Sequence, residues 1–388
     1  MAQSTNDKSE ILIVAGEASS ALYAQRLLEY WQRNNQEIKA YGVGSIAMEQ
    51  LGFDRIGRSE EMAVVGLTEV LKHYSAIKKV FNDIIEQTKI RKPKVILLLD
   101  YPDFNLRLAK KLKPLGIPIV YYISPQVWAW RKSRVHDIRK LVDKMLVLLP
   151  FEKDFYKGFD VDVEFVGHPL LDELKSELFN EEARQVERSR YGVLPGETWI
   201  GLMPGSRNSE IKHHLVSQLQ AAQIIYSQNK QLKFALLVAP TFSKEDIQKV
   251  LPQYDIPLTI VQADPLKMVS LVDVVICASG TATLIVGLLK KPMVIMYKMN
   301  ALSAWFAKLI VKGTQYFGLI NLVLGKKVVP ELFQSQASAE NISAEVLKYI
   351  EDEKYKAAVI EKLSHAHLLL GSRGATVRVA EILKPMLF

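Results

Sequence analysis

Three short stretches place chemically capable residues directly after runs that read as buried strands. Asp100 closes the apolar run at 95–99. A carboxylate there is costly to bury unless it is paired or used, which makes Asp100 a candidate general base. Its neighbour Asp103 suits a helix cap or a turn. Pro204-Gly205-Ser206-Arg207 follows the run at 199–203. Glycine lets a backbone approach a ligand, Ser206 offers a hydroxyl, and Arg207 can hold a phosphate through two hydrogen bonds. Ala278-Ser279-Gly280-Thr281-Ala282-Thr283 ends the run from Val272 and opens a helix. Backbone N–H groups at a helix start, among small residues, make an anion site. Each of the last two stretches is, alone, a common strand-to-helix turn. Both together, at the ends of predicted parallel strands, favour a diphosphate ligand. A nucleotide-sugar donor fits better than a triphosphate or a dinucleotide, since neither G-x-x-x-x-G-K-[ST] nor G-x-G-x-x-G occurs.

Other stretches invite the same question. Gly16-Glu17-Ala18-Ser19-Ser20 follows the first strand run. Glu17 and Ser19 could meet a ligand, or Ser19 or Ser20 could cap the helix from Ala21. Ser124-Pro125-Gln126-Val127-Trp128-Ala129-Trp130-Arg131 holds two of the five tryptophans, between a buried run and a basic one. Large rings beside positive charge suit an anionic ligand with an apolar body; the same pattern also reads as an aromatic satellite of the core. Gly167-His168-Pro169 reads as a domain-joining turn. Asp160-Val161-Asp162 is a D-x-D pair on an apparent loop. The seven histidines show no H-x-x-x-H or H-E-x-x-H spacing, so neither a metal nor another cofactor is predicted. Cys277 lies in an apolar run and reads as a small core residue.

Strands must present these residues. Runs at 11–15, 40–43, 95–99, 117–123, 145–149 and 163–166 alternate with helical patterns such as 21–34 and 64–89. Runs at 199–203, 234–238, 258–261, 272–278 and 293–297 alternate with patterns at 211–228 and 281–289. Such alternation predicts an α/β protein with parallel sheets and ligands at the carboxyl ends of the strands. At 388 residues the chain exceeds one ordinary core. Two Rossmann-like domains facing a cleft are predicted over 1–170 and 171–350, followed by C-terminal helices over 351–388. The polar stretch 176–197 is the predicted boundary.

Hydrophobic content of 49% and charged content of 24% fit a folded soluble chain. No secretory signal or membrane span is read, so a cytoplasmic location is predicted. The net charge of +8 points to acidic partners. Basic residues are interleaved with apolar ones at 72–81 and 305–312, which suits a membrane surface or a solvated helix face better than nucleic acid.

Taken together, the motifs resemble those of the lipid-A-disaccharide synthases, inverting glycosyltransferases of the GT-B fold. The resemblance runs over nearly the whole chain. It rests on Val14 to Ser19, Glu61 to Gly66, Asp100 to Asn105, Ser124 to Arg131, Leu149 to Glu152, Phe165 to Pro169, Pro204 to Arg207, Ala278 to Leu284, Asn321 to Gly325 and Pro330 to Leu332.

This resemblance implies transfer of 2,3-diacylglucosamine from its UDP derivative to 2,3-diacylglucosamine 1-phosphate, forming a β-1,6 disaccharide and UDP. It makes Asp100 and Arg207 the catalytic residues. Gly205, Ser206, Arg207, Ser279, Gly280, Thr281, Ala282 and Asn321 would take the donor. Glu17, Ser19, Ser124, Gln126 and Trp128 would line the acceptor side. An apolar surface over 62–80 would meet the inner face of the inner membrane, and a homo-oligomer is a further option. Three departures stand out. Ser20 and Ala21 replace a family Gly-Asp, Ile285 replaces a glutamate that commonly holds the nucleotide ribose, and Gly44-Ser45-Ile46-Ala47 replaces a Gly-Gly-Pro-Arg. A binding paralogue that has lost donor use, or a UDP-sugar epimerase of the same fold, is the rival reading.

Overall fold

The computed structural model describes residues 9–62, 67–128, 132–299 and 316–388. The motif residues Ala63 to Gly66, Trp130 and Arg131, the 305–312 stripe and the side chains at 67–74 lie outside the described residues. The chain divides into two compact units, Met1–Asp172 with Leu370–Phe388, and Glu173–Leu369.

The first unit holds seven strands: β1 (Ser9–Ala15), β2 (Ile38–Gly44), β3 (Asp54–Arg58), β4 (Val95–Leu99), β5 (Ile119–Tyr122), β6 (Lys144–Val147) and β7 (Val163–Phe165). They form one parallel sheet in the order β3-β2-β1-β4-β5-β6-β7. The central strands are apolar without alternation because helices cover both faces; every residue of β4 is 0% exposed. The edge strand β3, Asp-Arg-Ile-Gly-Arg, has no apolar run and escapes sequence reading. Strand order reverses between β1 and β4, where Ala15 pairs with Leu99. Gly16-Glu17 and Asp100-Tyr101 therefore leave the sheet side by side, at the crevice where open α/β sheets take ligands.

Helix Leu67–Arg91 turns Ile77, Val80, Phe81 and Ile84 toward this core. That part of the expected membrane-facing stretch is packed inward. The C-terminal segment divides at Leu370 and is not one helical appendage. Helices Glu353–Ser364 and Ala366–Leu369 belong to the second unit. Helix Ala375–Leu387 returns to the first, where Ser9 Oγ donates to Leu387 O at 2.6 Å. The Gly167-His168-Pro169 turn receives it. His168 N–H donates to Leu370 O, and the Arg378 guanidinium donates to Val166 O.

The second unit repeats the plan with β8 (Trp199–Met203), β9 (Lys233–Leu237), β10 (Leu258–Val261), β11 (Val274–Ala278), β12 (Met293–Tyr297) and β13 (Glu331–Phe333). Its sheet is parallel, ordered β10-β9-β8-β11-β12-β13. Here the order reverses between β8 and β11, with Met203 paired to Cys277. Residues 204–207 and 279–281 thus emerge side by side. Cys277 is buried, and burial pushes its thiol up to about 12, as suits an inert core residue.

The polar stretch 176–197, expected to separate the domains, is built into the second unit. It forms helix Glu181–Ser189, whose Arg184 and Arg188 both reach Asp273. Asp273 also accepts Trp199 N–H at 2.7 Å. Burial opposes its ionised form, yet the two guanidiniums hold its carboxyl below the usual carboxylate range. The charges that made the stretch read as a linker are thus partners for the amino ends of β8 and β11.

Candidate active site

In the first unit, β4 ends in two consecutive left-handed residues, Asp100 (φ 48°) and Tyr101 (φ 46°). Ile123, at the end of neighbouring β5, has φ 68°. Non-glycine residues in this region cost about 1–3 kcal/mol each, and they persist where surrounding structure over-determines them. The over-determination is visible here. Asn105 Nδ2 donates to Leu99 O at 3.1 Å and to Asp100 O at 2.8 Å. Tyr121 donates its hydroxyl to Asp100 O, and Asp100 N–H donates to Tyr122 O at 3.0 Å. Asn105 and Tyr121 are both 0% exposed. Burial, with the Asp100 charge adding, pushes the Tyr121 phenol well up, so it remains a donor. Tyr101 Oη donates to Met62 O at 3.0 Å. Asp103, one turn on, pairs with Arg134 at 2.6 Å on the surface.

At the end of β1, helix Ala18–Arg33 begins earlier than its apolar pattern suggests, with Glu17 as N-cap. Ser20 is fully buried; its hydroxyl accepts Glu17 N–H and donates to Glu17 O. Ser20 is therefore the local tie of this helix start and Ser19 is exposed. Ala21 is 1% exposed, so the position at which the resemblance implies a carboxylate is buried. The changed Gly44-Ser45-Ile46-Ala47 ends β2 and starts helix Ile46–Gln50, leaving Ile46 58% exposed.

The segment 124–128 is tied inward more than its composition implies. The buried Ser124 hydroxyl lies 2.8 Å from Tyr156 Oη and donates to Pro125 O, so it braces the loop. Gln126 is exposed. Trp128 meets Phe151 edge to face, and its indole N–H donates to Glu152 Oε1 at 3.1 Å. Glu152 Oε2 accepts Leu149 N–H at 3.1 Å. Burial raises the Glu152 carboxyl to about 7. Glu152 was visible in sequence only as part of a motif, because nothing local signals that it is buried.

In the second unit, Gly280 has φ 153° and open space where a Cβ would stand. Among the described residues, no protein acceptor takes the N–H of Gly280, Thr281 or Ala282, while Thr283 N–H and hydroxyl turn in to Gly280 O. Ser279 N–H is bound into the sheet through Met296 O. Gly205 differs from Gly280. It has φ 124°, and its open side is filled by Glu210, whose Cβ would lie 2.5 Å from an added Cβ. The side of Gly205 where a Cβ would stand thus admits Glu210. Arg207, the N-cap of helix Asn208–Gln228, is half exposed and pairs with Glu210 at 3.0 Å.

The inner face of helix Asn208–Gln228 pins the strand ends. The buried His214 lies with Nδ1 3.0 Å from Pro204 O and accepts Lys298 N–H at Nε2, 3.1 Å. Burial lowers its pKa and keeps it neutral. Gln218 Nε2 donates to Met203 O and Ile276 O. Sequence reading missed both residues, since i and i+4 polar groups on a helix say nothing of which face is buried.

Asn321, expected at the donor, is 0% exposed and fully engaged elsewhere. It donates to Val329 O and Glu331 Oε1 and accepts from Val328 and Val329 N–H. With every donor and acceptor of its amide used within the protein, it braces residues 317–331. Asp160 and Asp162 of the D-x-D pair form ion pairs with Arg139 and Lys144. Among the described residues no group of His, Cys, Asp and Glu has the arrangement of a metal site, and no helix is long and apolar enough to cross a membrane.

Known proteins share this arrangement. Two-unit parallel-sheet neighbours include a UDP-GlcNAc 2-epimerase from Neisseria meningitidis bound to UDP-GlcNAc (TM-score 0.62, 12% identity, 97% of this chain and 100% of that one). A glycosyltransferase of kitacinnamycin is also similar (TM-score 0.63, 12% identity, 98% and 99% covered). At such identity they show the fold alone, which is of the GT-B type. In sequence, the lipid-A-disaccharide synthase of Nitrosococcus oceani is 39% identical over 382 residues, 98% of this chain and 97% of that one. That of Trichlorobacter lovleyi is 38% identical over 376 residues, 97% of each. The family model for lipid-A-disaccharide synthetase matches residues 11–384. That match spans the sheets of both units, and the chain belongs to the lipid-A-disaccharide synthetase family of glycosyltransferases.

Proposed function

We propose that the chain transfers 2,3-diacylglucosamine from UDP to the 6-hydroxyl of 2,3-diacylglucosamine 1-phosphate. Asp100 takes the proton of that hydroxyl as its oxygen bonds the anomeric carbon. The bond from that carbon to the diphosphate breaks, and UDP leaves with the electron pair. One displacement inverts the anomeric centre, giving the β-linkage. Arg207 and the N–H groups of Gly280, Thr281 and Ala282 stabilise charge on the departing diphosphate. Glu17, Ser19, Gln126 and Trp128 stand on the acceptor side. The acyl chains remain in a bilayer, at whose surface the protein works.

The observation that carries this reading is the pair of strand-order reversals. One presents a carboxylate on a strained, over-determined turn. The other sends out, from the adjacent strands β8 and β11, the loop that carries Arg207 and a turn with three consecutive N–H donors. General-base catalysis needs a fixed base, and diphosphate departure needs fixed donors. The test is UDP release by purified protein with both acylated substrates in mixed micelles. Asp100→Asn should lose about 10²- to 10⁴-fold in kcat. Arg207→Ala should weaken UDP binding, and both variants should melt like the wild type. Full turnover by Asp100→Asn would remove Asp100 from the role of base.

A further inference from the structure

Glu210 stands against the loop that the second unit offers to a phosphate. We infer that Glu210 is a positioning residue for donor binding: it holds the 204–207 loop and Arg207 in binding geometry before the nucleotide sugar arrives. The inference rests on the assignment of this loop to the donor.

Its two oxygens serve two separate donors. Oε2 accepts Ser206 N–H at 2.8 Å, and Oε1 accepts Arg207 Nη1 at 3.0 Å. The backbone is shaped to admit it. An added Cβ at Gly205 would lie 2.4 Å from Glu210 Oε2 and 2.5 Å from its Cβ. Any other residue at 205 would displace the carboxylate. The next peptide is held as well, where Thr241 Oγ1 donates to Ser206 O at 2.8 Å. Ser206 is therefore fixed at both its N–H and its C=O.

The chemistry of the pair fits the same role. Glu210 sits in the first turn of helix Asn208–Gln228, where the helix dipole favours a negative charge. It therefore needs no ligand to stay in place. A free arginine side chain has many rotamers, and tethering it beforehand reduces the conformational freedom that binding must remove. The guanidinium has five N–H groups. Using one nitrogen on Glu210 leaves another edge for a two-pronged grip on phosphate. The opposite arrangement would be a carboxylate that merely fills the phosphate position and must leave. Its removal would tighten nucleotide binding, so the two differ in sign.

The test uses UDP affinity by calorimetry on the full chain, for wild type, Glu210→Gln, Arg207→Ala and the double variant. Glutamine has nearly the same shape but only one acceptor oxygen, so it turns an NH₂ toward one of the two donors. Glu210→Gln should weaken UDP binding about tenfold, and raise the donor KM more than it lowers kcat. In the Arg207→Ala background the same change should cost clearly less UDP affinity, because only the hold of Glu210 on Ser206 N–H remains to be lost. Glu210→Asp keeps the charge with shorter reach and should show an intermediate loss, so the inference remains testable where the glutamine variant does not fold. Unchanged or tighter UDP binding in Glu210→Gln would overturn the inference, as would an undiminished loss in the Arg207→Ala background. Wild-type protein that binds no UDP would overturn the donor assignment itself. Wild-type binding with an unaffected Glu210→Gln would overturn this inference alone.

Discussion

Gly16 lies against the ring of Tyr101: a Cβ added to Gly16 would come within 2.7 Å of Tyr101 Cδ1. The contact joins the ends of β1 and β4, the two strands between which the first sheet changes direction. Tyr101 is held from its other end by Met62 O, and it follows Asp100 in the left-handed turn. A glycine at the end of one strand therefore sets the position of the carboxylate at the end of the next.

Gly16→Ala should move the Tyr101 ring and, with it, the Asp100 turn. The expected result is a loss of about 10²-fold in kcat, as a small displacement of a catalytic group produces. Stability should fall by only about 1–3 kcal/mol, the usual effect of overpacking. Steady-state kinetics and thermal melting check this together. Wild-type kcat in a folded Gly16→Ala protein would show that the ring and the turn are not coupled.

Glu152 should make the first unit sensitive to pH. Its carboxyl is raised from 4.5 to about 7 by burial. A folded-state value above the unfolded one means that the protonated form stabilises. That contribution is complete below pH 4.5 and is lost as pH rises through about 7. A shift of this size corresponds to about 3 kcal/mol. The difference in unfolding free energy between wild type and Glu152→Gln should change by that order across the window. A flat difference would mean that the carboxyl ionises without penalty. Because Glu152 accepts the Trp128 indole N–H, indole fluorescence of the folded protein should titrate near pH 7.

His214 predicts the opposite sign in the second unit. Burial lowers its pKa below 6.5, so the neutral ring that links Pro204 O and Lys298 N is favoured above that pH and lost as pH falls. His214→Leu leaves two buried backbone groups without their partner and should cost about 1–3 kcal/mol. UDP affinity should weaken with it, since Pro204 begins the loop that carries Arg207. Denaturant melts at pH 5 to 8, with UDP calorimetry at neutral pH, provide the readout; an unchanged melt would show that the ring carries no strain-bearing link.

Ile285 stands where the resemblance implies a glutamate. It is partly exposed on the second turn of helix Ala282–Leu288, so a longer polar side chain can be accommodated. Ile285→Glu should restore acceptors for the nucleotide ribose and tighten UDP binding about tenfold. Unchanged or weaker binding would place the ribose away from this helix.

The amino-acid sequence by itself determined the class of fold, nearly all of the strands and the strand ends where chemistry would sit. Short apolar runs such as Val95–Leu99, bounded by turn residues and alternating with helical patterns, read as buried strands, and the residues directly after them then lie at the carboxyl end of the sheet. The short edge strands β3 and β13 were not legible, since an edge with charged or few residues carries no periodic signal. Tertiary structure decided which polar residues face inward. Glu152, His214 and Gln218 became braces, and the Asn321 amide is spent on holding residues 317–331. It also decided that the charged stretch 176–197 is part of the second unit, and that the chain's last helix closes the first. Local sequence sets which strands form and where they stop. Only packing of distant segments sets which polar groups lose water, and those groups hold the reactive ones in place.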